Sequence, residues 1–525
     1  MKFQLLLPRF EAIGLAPQPE PGSGGRYRCE VPAERLREFA QALAGSGKLL
    51  AMFAADDRMI DGRFRIYQIF SLEDNVLLTG VVPLEAVTLS YPSVTPVLPA
   101  THWYEREIKD LFGIEPVGHP DPRRLVTHRG WPQQTWPMRK DSQQEWVAQP
   151  GEPEGEFPYL QVSGTGLMQV PVGPIHAGII EPGHFRFHVA GESILELEAR
   201  LFYTHRGIEK LAEGKEWPAV VPITERICGV CTVSHSFSFA AALESITATV
   251  APERAEWLRL IYAELERIAN HLNDISAICA GVGLALGSQK AAELKEAMLG
   301  LNRQLTGHRF LRGAIVPGGV EADLDGARID IADSLLSRLG GEAARLREAV
   351  TGSDSFLDRL QTTGVLTRPD ALALGAVGPA ARASGIKTDT RIDHPYGAYR
   401  WLSPELALGE SGDVHARFLI RFQELESSIK LIREAFRRLP AGPVRAGLPE
   451  RLPPLAQGFG VTESARGSNL HWIMTDSEGR IHRYFIRSAS YPNWPALVRA
   501  VPGNIIPDFP LINKSFELCY SCLDR

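Results

Sequence analysis

The residues Arg226-Ile-Cys-Gly-Val-Cys231 form one of two Cys-x-x-Cys motifs in this chain, and Leu518-Cys-Tyr-Ser-Cys522 contains the other. Each spacing allows two thiolates to converge on one metal ion. About 290 residues lie between the motifs, whereas a zinc finger closes a loop roughly ten times shorter. A site that uses both motifs must therefore join distant parts of one large domain.

Four soft thiolates suit zinc, an iron–sulfur cluster or another thiophilic metal. The spacing alone leaves three alternatives open: a structural zinc site, two unrelated pairs that include a redox dithiol, and a catalytic metal centre. The other two cysteines, Cys29 and Cys279, have no partner at motif spacing. Cys279 lies in an apolar run, so we predict that it is buried packing.

The composition excludes several classes of protein. The chain has 525 residues, with 56 Lys and Arg against 62 Asp and Glu, which gives a net charge of −6. This charge argues against nucleic-acid binding. No run approaches the roughly 18 apolar residues of a membrane helix, and the first residues do not resemble a signal peptide, so we expect a cytoplasmic protein. The length predicts two or three domains.

Residues 1–135 are predicted to form a small α/β domain. The apolar spacing predicts a helix over 32–44, and alternating polarity over 64–70 followed by an apolar run over 75–82 predicts a strand pair. Thr101 is predicted to cap a short helix that Gly113 ends.

A linker is predicted over 136–158, where Gln, Glu, Pro and Trp dominate and periodicity disappears. Residues 159–525 are predicted to be mainly helical, because apolar residues recur at helical spacing over 255–275 and 418–436. A hairpin is predicted near 470–486. The fold class expected for the whole chain is α+β.

Four segments resemble nickel–iron hydrogenase large subunits. Arg226-Ile-Cys-Gly-Val-Cys-Thr-Val-Ser-His235 resembles the first metal motif of that family, and Cys519-Tyr-Ser-Cys-Leu-Asp-Arg525 resembles the second. Glu463-Ser-Ala-Arg-Gly-Ser-Asn-Leu-His-Trp472 is similar to the family's Arg-Gly segment. Glu181-Pro-Gly-His184 resembles the segment that carries an acidic proton-transfer residue.

Other segments resemble respiratory complex I. Gly173-Pro-Ile-His-Ala-Gly, Tyr203-Thr-His-Arg-Gly-Ile-Glu-Lys210, Glu266-Arg-Ile-Ala-Asn-His271 and Arg312-Gly-Ala-Ile-Val-Pro-Gly-Gly-Val320 are similar to the D subunit of that complex. Tyr104-Glu-Arg-Glu-Ile-Lys-Asp-Leu-Phe-Gly113 resembles its C subunit. A C–D fusion that keeps both cysteine pairs resembles the large subunits of group 4 membrane-bound hydrogenases of the formate hydrogenlyase and hydrogenase-4 type.

The resemblance implies a ligand set. Cys228 and Cys519 would be terminal ligands of nickel, and Cys231 and Cys522 would bridge nickel and iron. The iron would carry CO and cyanide. The resemblance further implies 4Fe-4S clusters on a small partner subunit, and attachment through other subunits to the cytoplasmic side of the inner membrane.

The resemblance also implies roles for five side chains. Cys519 would accept a proton and Glu181 would receive it next, although a Glu before Pro-Gly is often only a turn residue. Arg466 would lie over the metal rather than in an exposed turn. Arg226 would lower the thiolate pKa or pair with an acid, and His235 would donate to a metal thiolate or be a core histidine.

Two features depart from the family pattern. Glu517 and Leu518 stand where the family usually has Asp-Pro, which puts the approach of the chain to the metal in question. Similar hydrogenases lose a C-terminal extension near this point, and the sequence leaves open whether Arg525 is a processed or an encoded end. The alternatives to a hydrogenase are a complex I-like electron-transfer or quinone-module subunit without hydrogenase activity, and a zinc scaffold with four cysteine ligands.

Overall fold

The N-terminal unit is built on a five-stranded sheet. The computed structural model describes residues 3–20, 24–128, 131–132, 134–142, 157–175 and 181–525. The elements of this unit are β1 Gln18–Pro19, β2 Arg26–Glu30, β3 Lys48–Asp57, β4 Arg63–Leu72, β5 Val76–Glu85, β6 Ser90–Pro92 and β7 Glu115–Val117, with α1 Leu7–Ala12, α2 Leu36–Leu43, α3 Arg58–Asp61 and α4 His102–Phe112. The strand order is β1-β2-β5-β4-β3, with β2 and β5 parallel and the other neighbours antiparallel.

The predicted elements of this unit are confirmed, with one exception. Helix α2 buries its apolar face, and β4 and β5 form the predicted antiparallel pair. Helix α4 ends at Gly113, which has the left-handed φ of 68° that favours glycine. The predicted Thr101 cap is wrong, because the Thr101 hydroxyl donates to the Leu98 carbonyl at 2.8 Å, within the preceding turn. Residues 143–156 of the predicted linker lie outside the described residues, so the domain boundaries stay a prediction.

The large unit combines long helices with short antiparallel sheets. Its helices are α5 Ile208–Ala212, α6 Trp217–Thr224, α7 Thr232–Thr247, α8 Glu253–Gly281, α9 Ala285–Thr306, α10 Gly326–Thr351, α11 Asp354–Leu360, α12 Arg368–Ala373, α13 Gly378–Ala383, α14 Thr390–Asp393, α15 Val414–Arg438, α16 Ser490–Ala500, α17 Phe509–Phe516 and α18 Tyr520–Asp524. Its strands are β8 Leu167–Val172, β9 His184–Ala190, β10 Ser193–Arg200, β11 Ile315–Val316, β12 Gly319–Val320, β13 Gln457–Ser464, β14 Gly467–Thr475 and β15 Ile481–Arg487. Short 3-10 helices cover Phe3–Leu5, Ala33–Arg35, Pro99–Thr101, Gly397–Arg400 and Ile506–Asp508.

The two predicted apolar stripes lie in α8 and α15 and face the core. All six stripe residues of α8 are fully buried: Leu258, Ile261, Leu265, Ile268, Leu272 and Ile275. The predicted late hairpin is β14–β15, and β13 pairs with β14 to complete a three-stranded antiparallel sheet. Helices and sheets in separate layers of this kind confirm the α+β class. No helix in the described part of the chain has the length and apolar character needed to cross a bilayer.

The two units meet along β3 and the β14–β15 sheet. The ring of Phe53 stacks on Phe485 with centroids 4.1 Å apart. The buried guanidinium groups of Arg483 and Arg487 donate to backbone carbonyls of β3, with Arg483 reaching the carbonyl of Ala54 at 3.0 Å. Buried arginines that bond across the seam hold the N-terminal unit in a fixed position on the large one.

Candidate metal centre

Four cysteine sulfurs from the two motifs lie together in the interior of the large unit. The Sγ atoms of Cys228, Cys231 and Cys522 all lie within 4.8 Å of one another, and Cys228 Sγ is 3.3 Å from Cys519 Sγ. Cys519 is half-buried and the other three are buried. The fold therefore brings the two motifs to one point, and we call these four residues the cysteine cluster.

The first cysteine pair is fixed by the start of a helix. Cys231 immediately precedes α7, whose first amides point at a carboxylate of α8: Glu266 accepts from the backbone N–H of Val233 at 2.6 Å and of Ser234 at 3.2 Å. The Asn270 side chain donates to the Val230 carbonyl at 2.7 Å. These bonds satisfy amides that a helix start leaves unpaired and hold the loop between Cys228 and Cys231 against α8.

The second cysteine pair spans the start of α18: Cys519 lies in the turn between α17 and α18, and Cys522 lies within α18. Glu517 has a left-handed φ of 49°, which turns the chain after α17. The Ser490 hydroxyl accepts from the Cys519 amide at 3.0 Å, and the Ser488 hydroxyl donates to the Cys522 carbonyl at 3.0 Å. Serines at the start of α16 and just before it therefore fix both cysteines of this pair through the backbone.

The Glu517 that departs from the family pattern is half-buried. Its carboxylate accepts from the Asn273 side chain at 3.3 Å, and its carbonyl accepts from Arg466. Burial, together with the charge of Asp274, raises the pKa of Glu517 to about 7. The chain thus reaches Cys519 through an anchored residue even without the Asp-Pro sequence.

The sulfurs of the cluster differ in acidity. Hydrogen bonds from Cys228 and Cys522 hold the pKa of Cys231 and of Cys519 well below the ordinary thiol value. Contacts with the other sulfurs raise the pKa of Cys228 well above it, and burial followed by such contacts does the same to the pKa of Cys522. A bound cation is needed to offset the negative charge of four buried thiolates.

Arg466 is buried beside the cluster although it lies in the turn between β13 and β14. Its guanidinium donates to the Asn270 side chain at 2.6 Å, to Asp274 at 3.1 Å and to the Glu517 carbonyl. Burial alone lowers the pKa of Arg466, but the negative charges of Asp274 and Cys231 outweigh burial and the net change is upward. Arg466 thus connects α8 to the second motif and places a fixed positive charge near the thiolates.

Glu181 contacts the second motif through the residue between its two cysteines. Its carboxylate accepts from the Ser521 amide at 2.7 Å and from the Ser521 hydroxyl. The segment after Glu181 packs so closely against the second motif that a Cβ built on Gly183 would lie 2.7 Å from a ring carbon of Tyr520. Glu181 is therefore more than a turn residue, because it binds the backbone of the motif.

His235 begins a buried row of polar side chains that leads away from Cys522. Its Nε2 is 3.5 Å from Cys522 Sγ and its Nδ1 is 2.9 Å from His471 Nε2, while His471 Nδ1 is 2.7 Å from the Tyr484 hydroxyl. Burial lowers the pKa of both imidazoles, which favours their neutral forms. A neutral imidazole in such a row is fixed in one tautomer by the partner on its other nitrogen.

Arg226 lies away from the sulfurs. Its guanidinium is exposed and donates to the Pro222 carbonyl at 2.7 Å, and Glu225 accepts from the Gly313 amide instead of pairing with it. Arg206 joins the motifs instead: it donates to the carbonyls of Arg226, Ile227 and Ser521 at 2.8–2.9 Å. The predicted effect of Arg226 on thiolate pKa stays a prediction.

For several residues that lie at the cluster, we predicted no role from the sequence. They are Arg206, Glu266, Asn270, Asp274 and His471. A signal for three of them exists, because positions 266, 270 and 274 recur every four residues on one face of α8, and a polar row of this kind in a mostly buried helix indicates a buried polar partner.

The remaining histidines and cysteines that the sequence singled out lie apart from the cluster. His184 Nδ1 is 3.2 Å from the Gly173 carbonyl, and His176 of the Gly173-Pro-Ile-His-Ala-Gly segment lies outside the described residues. Cys29 and Cys279 are buried, as predicted for Cys279, whose sulfur would lie 3.0 Å from a Cβ built on Gly287.

The donor set of the cluster suits a soft metal. Four sulfurs converge, an arginine balances their charge, and an imidazole faces one sulfur at hydrogen-bond distance. Sulfur ligands of this kind select nickel, zinc, copper(I) and iron over the hard cations.

Comparison with known proteins shows which class of protein this chain belongs to. Residues 29–146 match the model of the respiratory-chain NADH dehydrogenase 30 Kd subunit, and residues 282–460 and 449–525 match that of its 49 Kd subunit. Residues 206–275 match the nickel-dependent hydrogenase model. The chain is thus a fusion of complex I-like subunits that carries a hydrogenase segment.

Two relatives of known name show which protein family this chain belongs to. Formate hydrogenlyase subunit 5 of Escherichia coli is 34% identical over 91% of this chain and 85% of its own length. Hydrogenase-4 component G of the same organism is 33% identical over 91% of this chain and 84% of its own length. The chain belongs to the family of large subunits of group 4 membrane-bound hydrogenases, of the formate hydrogenlyase and hydrogenase-4 type.

A solved structure shares the fold of the large unit. A chain of the membrane-bound sulfane sulfur reductase, an archaeal respiratory membrane complex, superposes with a TM-score of 0.65 at 27% identity. The superposition covers 69% of this chain and 99% of that chain.

Proposed function

We propose that this chain is the catalytic subunit of a membrane-associated hydrogenase complex that interconverts dihydrogen with protons and electrons. The observation that carries the proposal is the convergence of two cysteine pairs from distant parts of the sequence inside a hydrogenase-family fold. The chain covers most of the length of the relatives whose names include a hydrogenase or a hydrogenlyase.

The cysteine cluster would hold a nickel–iron centre. Cys228, Cys231, Cys519 and Cys522 would hold the nickel and an iron that carries CO and cyanide. When bound, such a centre supplies the two-electron acceptor that heterolytic splitting of dihydrogen requires. The buried sulfurs of this chain supply the donor atoms and exclude water from three of the four positions.

The protein would supply the base and the proton exit. Cys519 is the half-buried member of the cluster, so its sulfur can both touch the reaction site and pass a proton outward. Glu181 is the next carboxylate, because it binds the amide and hydroxyl of Ser521 within the same motif. A proton held at Cys519 Sγ would move to the Glu181 carboxylate, which is positioned by Ser521.

Three further side chains would change the charge and hydrogen bonding around the metal ligands. Arg466 would hold its fixed positive charge over anionic ligands of the centre, with its orientation set by Asp274. His235 would donate a hydrogen bond to the Cys522 sulfur. Arg226, whose guanidinium donates to the Pro222 carbonyl, would lower the pKa of the neighbouring thiolate through its charge.

Electrons would leave through a partner. We propose a small iron–sulfur subunit with 4Fe-4S clusters, together with further iron–sulfur and membrane subunits of a complex I-like assembly on the cytoplasmic side of the inner membrane. The two relatives named above are components of multi-subunit enzymes by their names, and the sulfane sulfur reductase is a membrane complex.

Metal analysis of the purified assembly tests the proposal. We expect nickel and iron in a ratio near one in this chain once it is separated from the iron–sulfur subunits, and infrared bands from CO and cyanide in the assembly. Zinc alone in fully matured protein would contradict the hydrogenase and support the zinc scaffold.

A complex I-like electron-transfer subunit is the second candidate. It is favoured by the matches to the 30 Kd and 49 Kd subunit models and by the structural likeness to a sulfane sulfur reductase complex. Parallel assays of hydrogen evolution, sulfane sulfur reduction and quinone reduction on one preparation separate the candidates. Hydrogen turnover by metal-loaded protein supports the first, whereas sulfur or quinone reduction without hydrogen turnover supports the second.

A further inference from the structure

A buried arginine connects the second cysteine pair to the N-terminal unit. We propose that Glu107, in α4, is a positioning residue of the metal site: with Glu209 it holds Arg525 and thereby fixes the second cysteine pair. We call Glu107, Glu209 and Arg525 the arginine clamp. The inference rests on the proposed metal function, and it assigns a part in that function to a unit that contributes no cysteine to the cluster.

The clamp encloses the guanidinium of Arg525 on several sides. One terminal nitrogen lies 2.7 Å from both carboxylate oxygens of Glu107, and the other lies 2.9 Å from Glu209 and 2.6 Å from the Ile486 carbonyl. The rings of Tyr491 and Phe485 lie 5.2 and 5.7 Å from the guanidinium carbon. Arg525 is 2% exposed, so these charge-assisted bonds form away from water.

The backbone next to the clamp leads directly to the cysteines. The Arg525 amide donates to the Ser521 carbonyl at 3.1 Å, and its carbonyl accepts from the Arg206 amide at 2.7 Å. The carboxylate of Asp524 accepts from the Phe202 amide at 3.0 Å and from the Thr204 amide at 2.9 Å. The short helix that carries Cys522 is therefore anchored directly after the cysteine, on both sides of its axis.

The charges of the clamp balance only when Glu107 is present. Glu209 also pairs with Arg483 at 2.7 Å, so two buried carboxylates face two buried guanidinium groups. Removing the charge of Glu107 leaves two arginines that share Glu209. Breaking a buried pair from one side is costly because the remaining charge is uncompensated, and moving Arg525 toward water relieves that cost. Such a movement displaces the helix that carries Cys522.

The direct test compares the intact complex with its Glu107→Gln variant. The measurements are the rate at which a chelator removes nickel and the positions of the CO and cyanide infrared bands. We expect nickel release about 10- to 100-fold faster, which is the usual effect of losing a residue that orients a metal ligand, and shifted bands. Glu107→Asp, which keeps the charge, is expected to restore most of the retention.

Glu115→Gln is the matched control, because Glu115 is an exposed glutamate of the same unit that pairs with Lys109. It should leave both measurements unchanged.

Arg525→Gln should reproduce the Glu107→Gln effect, and the double variant should be no worse than Arg525→Gln alone. Wild-type nickel release in Glu107→Gln, or additive effects in the double variant, would overturn the clamp. If Glu107→Gln does not assemble, the comparison of Arg525→Lys with wild type takes its place, and unchanged release and bands in Arg525→Lys overturn the proposal.

A thiol measurement separates failure of the clamp from failure of the proposed metal function. If the wild-type complex contains no nickel and shows no infrared bands from CO or cyanide, the metal proposal fails. The clamp is then tested by alkylation of Cys519 and Cys522 with iodoacetamide, followed by mass spectrometry. Faster alkylation in Glu107→Gln than in wild type and Glu115→Gln supports the clamp, and equal rates refute it.

Discussion

The two cysteine pairs meet at one point but are held in different ways. The first pair is fixed by neighbours in local structure: it precedes α7, and one face of α8 supplies Glu266 and Asn270. The second pair is held by residues from distant parts of the chain, including Glu181 and, through Arg525, Glu107. The first half of the site can form once two adjacent helices pack, whereas the second half requires the complete fold.

This difference predicts which cysteine pair is displaced more easily by a substitution. A local support is redundant, because helix packing continues to hold the backbone when one hydrogen bond is lost. A support by isolated buried charges is not, since each charge that loses its partner remains buried and uncompensated. We therefore expect single substitutions to affect the second pair more than the first, and the following predictions test this in order of decreasing effect.

Cys519→Ser should cause the largest loss. Serine offers a poor ligand for a soft metal and a weak base, so we expect less than about 1% of wild-type hydrogen turnover together with loss of nickel. Metal content and hydrogen evolution by the purified complex measure the effect. Cys279→Ala, at a buried cysteine away from the cluster, is the control and should retain nickel. Unchanged turnover in Cys519→Ser would refute the proton role of this residue.

Arg466→Lys should have the next largest effect, because Arg466 is the side chain that ties the α8 face to the turn before Cys519. An ammonium cannot reproduce the planar fork that reaches three acceptors. We expect a loss of about 10- to 100-fold in turnover or metal retention. Arg480→Lys, at an exposed arginine paired with Glu478, should have no effect. Equal activity of the two variants would show that the bonds of Arg466 do not matter.

The pair Asp524→Asn and Glu266→Gln compares the two supports directly. Each variant replaces a carboxylate that accepts from two backbone amides, in one case beside the second pair and in the other beside the first. Bonds to a charged acceptor are worth about 1.5–3 kcal/mol, so the local loosening should be measurable. Alkylation mapped by mass spectrometry in metal-free protein should increase at Cys522 in Asp524→Asn, with a smaller increase at Cys228 in Glu266→Gln. The opposite order would contradict the comparison.

Tyr484→Phe should have the smallest effect. It removes the hydroxyl that fixes His471, which in turn faces His235, and a single neutral hydrogen bond contributes about 1 kcal/mol. We expect small shifts of the CO and cyanide infrared bands and a turnover reduced no more than severalfold. Tyr262→Phe, at a buried tyrosine that bonds the Ala322 carbonyl, is the control and should leave the bands in place. Identical spectra in both variants would show that the row beyond His235 does not influence Cys522.

Much of the fold can be predicted because it depends on local patterns. The stripes of α8 and α15 and the β14–β15 hairpin follow from periodicity, which is a property of neighbouring residues. The Thr101 cap follows from the same logic and is wrong, because the hydroxyl bonds a nearer acceptor in the preceding turn. Local patterns identify which elements form but not which of several nearby polar groups pair.

The residues of the site that belong to short sequence motifs can be predicted from the sequence. The two Cys-x-x-Cys pairs indicate a shared metal, and the resemblance to hydrogenases indicates Glu181 and Arg466. The supports outside α8 are not predictable, since Glu107 and Arg206 are brought to the cluster by the tertiary fold and not by a motif. Buried charges find their partners in three dimensions, and one sequence without its fold does not show them.

The separation of the two pairs along the chain has a consequence for biosynthesis. At the usual rate of about 5–20 residues per second, a ribosome completes Cys231 roughly 15–60 s before it reaches Cys519. During this interval the nascent chain carries the two thiols that precede α7 and lacks the other two. A two-thiol site binds metals weakly and with little selectivity, so a metal that arrives late meets all four sulfurs of the cluster at once. The distance between the motifs thus acts as a delay that separates synthesis of the first ligands from metal loading.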